Sequence, residues 1–478
     1  MRTERTTRIP VVLALALAVG CVSHSRREDV DAVRAVLATR TELDLVDRDP
    51  DTWQQEEPHV RELLAQPLDA ERAVRIALAN NRDLRAAMYE LGIARGALVQ
   101  AGLLPNPTLE AEVRFPEDQV EPPQYDVGIA IDITALILAP IRAEAAAARI
   151  DVVRYRTAGA VLDLAYRVRL AFFRYQASVQ HLELMQTAQE SYAASVTAAR
   201  ALHEAGNVRD LDVSIEEAAL EQARIDTARA ELELYDDRER LNVLMGLYGH
   251  EVSWEIAGRL ADPPSEPLVL DELEPRAIET SLELAWTRAE LEAIGRSLGL
   301  ARAEGLVPDI AVGFHAEYDE ERWEYGPEMA ITFPFFSQGQ GTVLSREAEL
   351  ESLRERYVAL AVAVRASVRA ARNRALTTEL LAHRYREVLI PARTRVFEQT
   401  LRQYNAMQID VFRLLQAKRE QIDAARGYIE ALREYWQARA TLDQVLAGRV
   451  AGTIGPDVEI EIGARTRESG GPTASSPH

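Results

Sequence analysis

Asp309-Ile310-Ala311-Val312-Gly313-Phe314-His315-Ala316-Glu317-Tyr318 alternates strictly between two kinds of side chain. Ile310, Val312, Phe314, Ala316 and Tyr318 take one face of an extended strand, and Asp309, Ala311, Gly313, His315 and Glu317 take the other. Three further segments share the pattern. Leu109, Ala111, Val113 and Phe115 alternate with Thr108, Glu110, Glu112 and Arg114. Tyr125, Val127, Ile129, Ile131 and Ile133 alternate with Asp126, Gly128, Ala130 and Asp132. Trp323, Tyr325, Met329, Ile331 and Phe333 alternate with Glu324, Gly326, Glu328, Ala330 and Thr332. Each is about ten residues long, the length of a tilted strand that crosses an outer membrane. A soluble sheet with one buried face alternates too, but the aromatic residues favour the membrane. Tyr125, Tyr318, Trp323 and Tyr325 gather beside the loops, and Phe333, Phe335 and Phe336 gather at the opposite end, where interfacial girdles belong. Four strands cannot close a barrel, because the smallest membrane barrels have about eight. The chain is therefore expected to oligomerise; strand physics alone allows a dimer, a trimer or a tetramer.

The strand pairs sit at equivalent places in a duplicated chain. Gly102-Leu103-Leu104-Pro105-Asn106 answers Gly305-Leu306-Val307-Pro308-Asp309, Ile129-Ala130-Ile131 answers Met329-Ala330-Ile331, and Asp210 answers Asp410. Leu244-Met245-Gly246 answers Leu446-Ala447-Gly448. Helical periodicity around each pair predicts a helix over 68–101 and its counterpart over 273–304. A very long helix follows from Pro140, a good first-turn residue, to about Glu204, with a counterpart over 343–403 kinked at Pro391. Shorter helices run over 211–245 and 411–446. Such lengths suit an extended rod and not a compact globule. Stacked end to end, the two shorter helices of a half match the long one and run antiparallel beside it. The fold class is mainly α with membrane β, in two structural repeats. The expected divisions are a signal over 1–20, a lipidated N-terminal segment over 21–67, repeats over 68–253 and 273–448, a linker over 254–272 and a largely disordered tail over 449–478.

The N-terminus carries Arg2, Arg5 and Arg8, an apolar run from Ile9 to Val19, and Gly20-Cys21. That run is roughly half the length of a membrane helix and reads as a secretory signal. Ala18-Val19-Gly20-Cys21 resembles a bacterial lipobox, whose cysteine is acylated, and Val22 in place of Asp implies sorting to the outer membrane. Cys21 is the only cysteine, which excludes disulfides and cysteine metal clusters. The formal net charge of −21 argues against a nucleic-acid partner.

Over about residues 68–448 the chain resembles the outer-membrane efflux protein (TolC-like) family. Ala101-Gly102-Leu103-Leu104-Pro105-Asn106-Pro107 resembles that family's approach to its first strand. Pro334-Phe335-Phe336-Ser337-Gln338-Gly339-Gln340-Gly341 resembles its turn from last strand to long helix, and the tract from Tyr404-Asn405-Ala406-Met407 to Leu414-Leu415-Gln416-Ala417 its periplasmic tip. The resemblance implies a homotrimer with a twelve-stranded β-barrel in outer-membrane lipid, a periplasmic α-barrel of long helical hairpins, and an equatorial region near 254–272. It also implies docking of a periplasmic adaptor and an inner-membrane pump of RND or ABC type, and opening by untwisting of the tip helices. A lipid-anchored periplasmic coiled-coil or adaptor protein is the competing reading. It would not need four aromatic-flanked alternating segments.

At the expected tip, Asp210, Asp212 and Asp410 would each form a ring of three carboxylates in a trimer, a cation-favouring arrangement. Helix capping is the plainer role for an aspartate there. Arg209 and Arg413 are placed to pair with them. The eight histidines are scattered and no metal site is expected. Gly339-Gln340-Gly341 lacks the lysine of a phosphate loop, Gly-x-Ser-x-Gly is absent, and neither enzyme activity nor a cofactor is expected. The lipobox reading has a direct check. Cys21→Ser is expected to abolish labelling by a fatty-acid analogue, and equal labelling of mutant and parent would end the claim.

Overall fold

The computed structural model describes residues 26–43, 45, 58–115, 123–264, 272–319 and 322–450. Cys21, the signal and the tail beyond Val450 lie outside them. Helices α1 (Arg26–Ala38) and α2 (Pro58–Leu64) precede the first repeat. Where the periodicity predicts one helix over 68–101, the structure has two, α3 (Ala70–Asn80) and α4 (Arg82–Gly102). Asn81 lies between them with an extended ψ of 125°, and its side chain accepts from the Leu84 N–H at 2.9 Å, capping α4. Ser281 repeats the device between α7 (Leu273–Thr280) and α8 (Leu282–Leu306), its Oγ accepting from the Leu284 N–H at 3.2 Å. The helix expected over 273–304 is thus also two.

Strands β1 (Thr108–Arg114), β2 (Gln124–Asp132), β3 (Asp309–Asp319) and β4 (Arg322–Thr332) form one antiparallel sheet in sequence order. The central β2–β3 pairing joins the two repeats. Thr134 seals that joint, donating to the Pro308 carbonyl at 2.8 Å and accepting from the Ile310 N–H at 2.7 Å. Helix α5 (Ile133–Glu204) leaves β2 directly, with Asp132 as its cap accepting from the Ala135 N–H at 2.8 Å. The expected start at Pro140 is wrong. The Asp132 cap starts the helix a full two turns earlier, and the proline is carried inside it. At 72 residues α5 is about 108 Å long.

Helix α6 (Asp210–Met245) returns along α5. In the second repeat the long element is α9 (Gln340–Arg384), a π turn (Tyr385–Leu389) and α10 (Ile390–Asn405), with α11 (Val411–Leu446) returning beside it. The disturbance expected at Pro391 is this π turn. Proline has no N–H to donate and its ring collides with the carbonyl four residues back, so one wider turn absorbs both. The Tyr385 ring of that turn lies over Gly427 of α11, where an added Cβ would sit 2.6 Å from Cε1.

The shorter helices do stack end to end, and each contact is made the same way. The orphan carbonyls at the end of α6 are met by the α3–α4 break. Asn80 Nδ2 donates to the Gly246 carbonyl at 2.7 Å, and Asn81 Nδ2 to that of Leu244 at 3.0 Å. At the end of α11, Thr280 Oγ1 donates to the Leu446 carbonyl at 3.0 Å and the Leu282 N–H to that of Gly448 at 2.8 Å. The main hydrophobic core surrounds the first contact, drawing Val33 and Leu37 from α1, Ile76 from α3, Phe172 from α5 and Met245 from α6. The N-terminal segment, read from sequence only as a lipidated lead, supplies part of this core. Trp254 of the linker is buried there, its Nε1 donating to Asn242 Oδ1 at 2.8 Å.

Gly246 and Gly448 both have positive φ, and an added Cβ would come within 2.9 Å of the Asn80 carbonyl oxygen or 2.1 Å of that of Thr280. Gly249 also has positive φ but faces open space. Gly246→Ala and Gly448→Ala are expected to destabilise by more than about 2 kcal/mol, and Gly249→Ala by about 1 kcal/mol. Thermal unfolding in detergent checks the order; equal losses at all three would remove the packing argument.

Candidate functional site

The sheet register sorts the side chains of all four strands onto two faces. Val113, Tyr125, Tyr318 and Trp323 lie in one row across the sheet; Leu109, Ile129, Phe314 and Pro327 lie in another. These apolar side chains have no cover. Leu109 is 71% exposed, Trp323 55% and Tyr325 75%. A contiguous apolar face of this kind requires lipid or a partner. Near the loops the rings of Tyr125 and Tyr318 lie 6.1 Å apart and those of Tyr318 and Trp323 5.4 Å. At the helical end Phe333 stacks on Phe335 at 5.6 Å, and Phe336 is 97% exposed. The seven aromatic residues singled out in the sequence therefore fall into two bands at opposite ends of the sheet.

The other face is acidic. One row carries a carboxylate on every strand: Glu112, Asp126, Glu317 and Glu324. The next row holds Glu110, Gly128, His315 and Gly326, and the one after it ends on Glu328. Arg114 reaches Glu112 at 3.1 Å, and His315 Nε2 lies 3.3 Å from Asp126. Ala130, Gly313, Ala311 and Ala330 add small residues to this face. β1 and β4 are edge strands, paired on one side only.

At the far end, two turns join the hairpins with one hydrogen-bond pattern. The Asn207 N–H reaches the Leu202 carbonyl at 2.9 Å, and the Gln408 N–H that of Gln403 at 2.9 Å. The residue needing positive φ is Gly206 in the first turn and Met407 (φ 55°) in the second. Asp410 caps α11, accepting from the Arg413 N–H at 3.1 Å. Asp210 is the first residue of α6, where a negative charge favours the helix dipole. Asp212 is paired with Arg209 at 2.9 Å, and that hydrogen bond holds its carboxyl below the usual carboxylate range. The Asp212 hydrogen bond, and more weakly the Asp410 charge, holds the Arg209 guanidinium above its ordinary value. Of the expected arginine pairings, Arg209 makes one with Asp212, while Arg413 meets Asp410 through its backbone N–H, a capping bond and not a charge pair.

Residues 73–247 match the outer membrane efflux protein family. The match lies within the first repeat. A relative, the cobalt-zinc-cadmium resistance protein CzcC of Cupriavidus metallidurans, is 25% identical over 384 residues, which cover 80% of this chain and 90% of the relative. Among solved structures, a membrane protein from Pseudomonas aeruginosa superposes with a TM-score of 0.67 at 20% identity, covering 86% of this chain and 96% of that one. The Campylobacter jejuni CmeC outer membrane channel gives 0.69 at 13% identity, covering 86% and 94%. At these identities the structural likeness speaks to the fold, and it spans both repeats.

Behind the tip turns lies a charged group that the sequence reading missed. Lys418 of α11 and Glu216 of α6 are both buried, at 7% and 3% exposure. The only signal was compositional: Lys418 is the one lysine among 55 basic residues. The capping role of Asp410 is testable separately. Asp410→Ala is expected to speed amide exchange in the first turn of α11 about fivefold, and Asp410→Asn to leave it nearly unchanged. Equal effects of the two substitutions would exclude a capping role.

Proposed function

We propose that this efflux-family protein is the outer-membrane exit duct of a tripartite cation-efflux system, assembled as a homotrimer and anchored by acylated Cys21. The two-faced sheet carries the reading. Its apolar face and aromatic bands suit the hydrocarbon and its interfaces. Its edges β1 and β4 must pair with neighbouring copies, because unpaired backbone groups in lipid cost several kcal/mol each. The up-and-down strand order makes β1 of one copy antiparallel to β4 of the next, and three copies of the four-stranded sheet close a barrel. No described helix is long and apolar enough to cross a membrane, which leaves this work to the strands.

The acidic face then lines the lumen. In a trimer the Glu112–Asp126–Glu317–Glu324 row becomes a continuous belt of carboxylates, a field that admits cations and repels anions. The name of the CzcC relative supports divalent metal ions as cargo. Asp210 and Asp410 at the periplasmic mouth would add a second acidic level, steadied by Arg209, Asp212 and Arg413. An adaptor docks at the tip turns and an inner-membrane pump supplies the energy, while the duct itself stays passive.

Purified protein in detergent is expected at about three times the mass of the mature chain, with cation-selective conductance in planar bilayers. Replacing Glu112, Asp126, Glu317 and Glu324 with their amides lowers the cation preference several-fold. A stable monomer, or a reversal potential unmoved by the four substitutions, would overturn the proposal.

A further inference from the structure

Each helical hairpin is tied internally at the tip, the first by Arg200–Glu217 at 2.6 Å and the second by an Arg393–Glu420 ion pair. Between the hairpins the joint is a small apolar cluster. Tyr192, Val196, Ala219 and Leu220 of the first meet Val411 and Leu415 of the second. One turn beyond Leu415, Lys418 enters this joint. Its ammonium lies 4.0 Å from the centre of the Tyr192 ring and 3.4 Å from Ser195 Oγ. Glu216 faces it from α6, and one carboxylate oxygen, Oε2, has no hydrogen-bond partner. A buried charge left short of partners opposes its own burial, and its attraction to an opposite charge offsets that only in part. In a chain whose other Lys/Arg positions are all arginine, the cation buried in this joint is a compact ammonium.

We infer that Lys418 and Glu216 form a release device in the joint between the hairpins, two buried charges whose pull toward water keeps the joint separable. The inference rests on the duct reading above and takes parting of the tip hairpins as the step that opens the duct. Arg419 on α11, Tyr192 on α5 and Tyr404 on α10 interact with Glu216 of the pair, and Asp423 on α11 and Asp212 on α6 act in turn on Tyr192 and Tyr404.

Burial pushes the Glu216 carboxyl above its ordinary 4.5 and the Lys418 ammonium below its ordinary 10.5, while each draws the other partway back. The closed joint binds the Glu216 proton more tightly than the open one, so its added stability is complete below about pH 4.5 and is lost as pH rises through the raised value. Conductance should therefore increase with pH over that window.

Three variants test this in planar bilayers. Lys418→Met leaves the Glu216 charge uncompensated and is expected to raise the open fraction about tenfold. Lys418→Met with Glu216→Gln removes both charges and is expected to lower it below the parent, a non-additive outcome. Glu216→Gln alone should flatten the pH profile, which a purely structural role would not do. Amide exchange across residues 411–422 reads the joint without requiring conduction. A parent that passes no current would thus refute the duct reading and leave the device to be judged by exchange. Additive substitutions with an unchanged pH profile, or exchange rates alike in all variants, would overturn the device.

Discussion

An open sheet edge cannot stand in hydrocarbon, and the rest of this molecule is arranged around that fact. In the proposed duct the outward N–H and C=O groups of β1 and β4 pair with other copies, which would make folding of the membrane part and assembly one process. The β2–β3 pairing makes the two repeats share one sheet, which fixes where the helices of both halves leave the membrane. α5 leaves β2 through the Asp132 cap without an intervening turn. α9 leaves β4 through a short aromatic turn that ends on the left-handed Gly339. In the proposed trimer, closure of the strands would therefore set the spacing of the helices below them.

The same logic explains what the amino-acid sequence disclosed. Period-two alternation was legible because each strand presents one apolar and one polar face, and successive residues must suit them in turn. The long helices were legible because their apolar spacing runs for many turns. The breaks at Asn81 and Ser281 were not, because the apolar period continues across both. They come from local side-chain caps that win over propensity at a single residue. Pro140 misled for a related reason: proline favours a first turn, but Asp132 already supplied a start. The acidic belt was visible one strand at a time. That four carboxylates share one level depends on pairings between residues about two hundred apart, which only the register reveals.

The end-to-end contacts show how a duplication is kept working. Gly246 and Gly448 each lie against a backbone carbonyl at the break in their own repeat, and polar side chains of both breaks cap the incoming helix. Sequence matching alone pairs these glycines. Their shared role is to let a helix end meet a helix break at van der Waals distance, where any side chain would hold the two apart.

Where the repeats differ, the differences collect in the second hairpin. Its long element is interrupted by the π turn before Pro391, while α5 runs unbroken. Its tip turn places Met407, 84% exposed, in a left-handed conformation that Gly206 adopts without strain in the first. Its returning helix carries Lys418, the one buried ammonium of the chain's single lysine, into the joint. A π turn lowers resistance to bending, a strained exposed turn favours a contact that relieves it, and a buried charge resists closure. All three act in one direction. They make the second hairpin the compliant partner and the first the frame, so a force applied at the tip turns is expected to move α10 and α11 against a stationary α5.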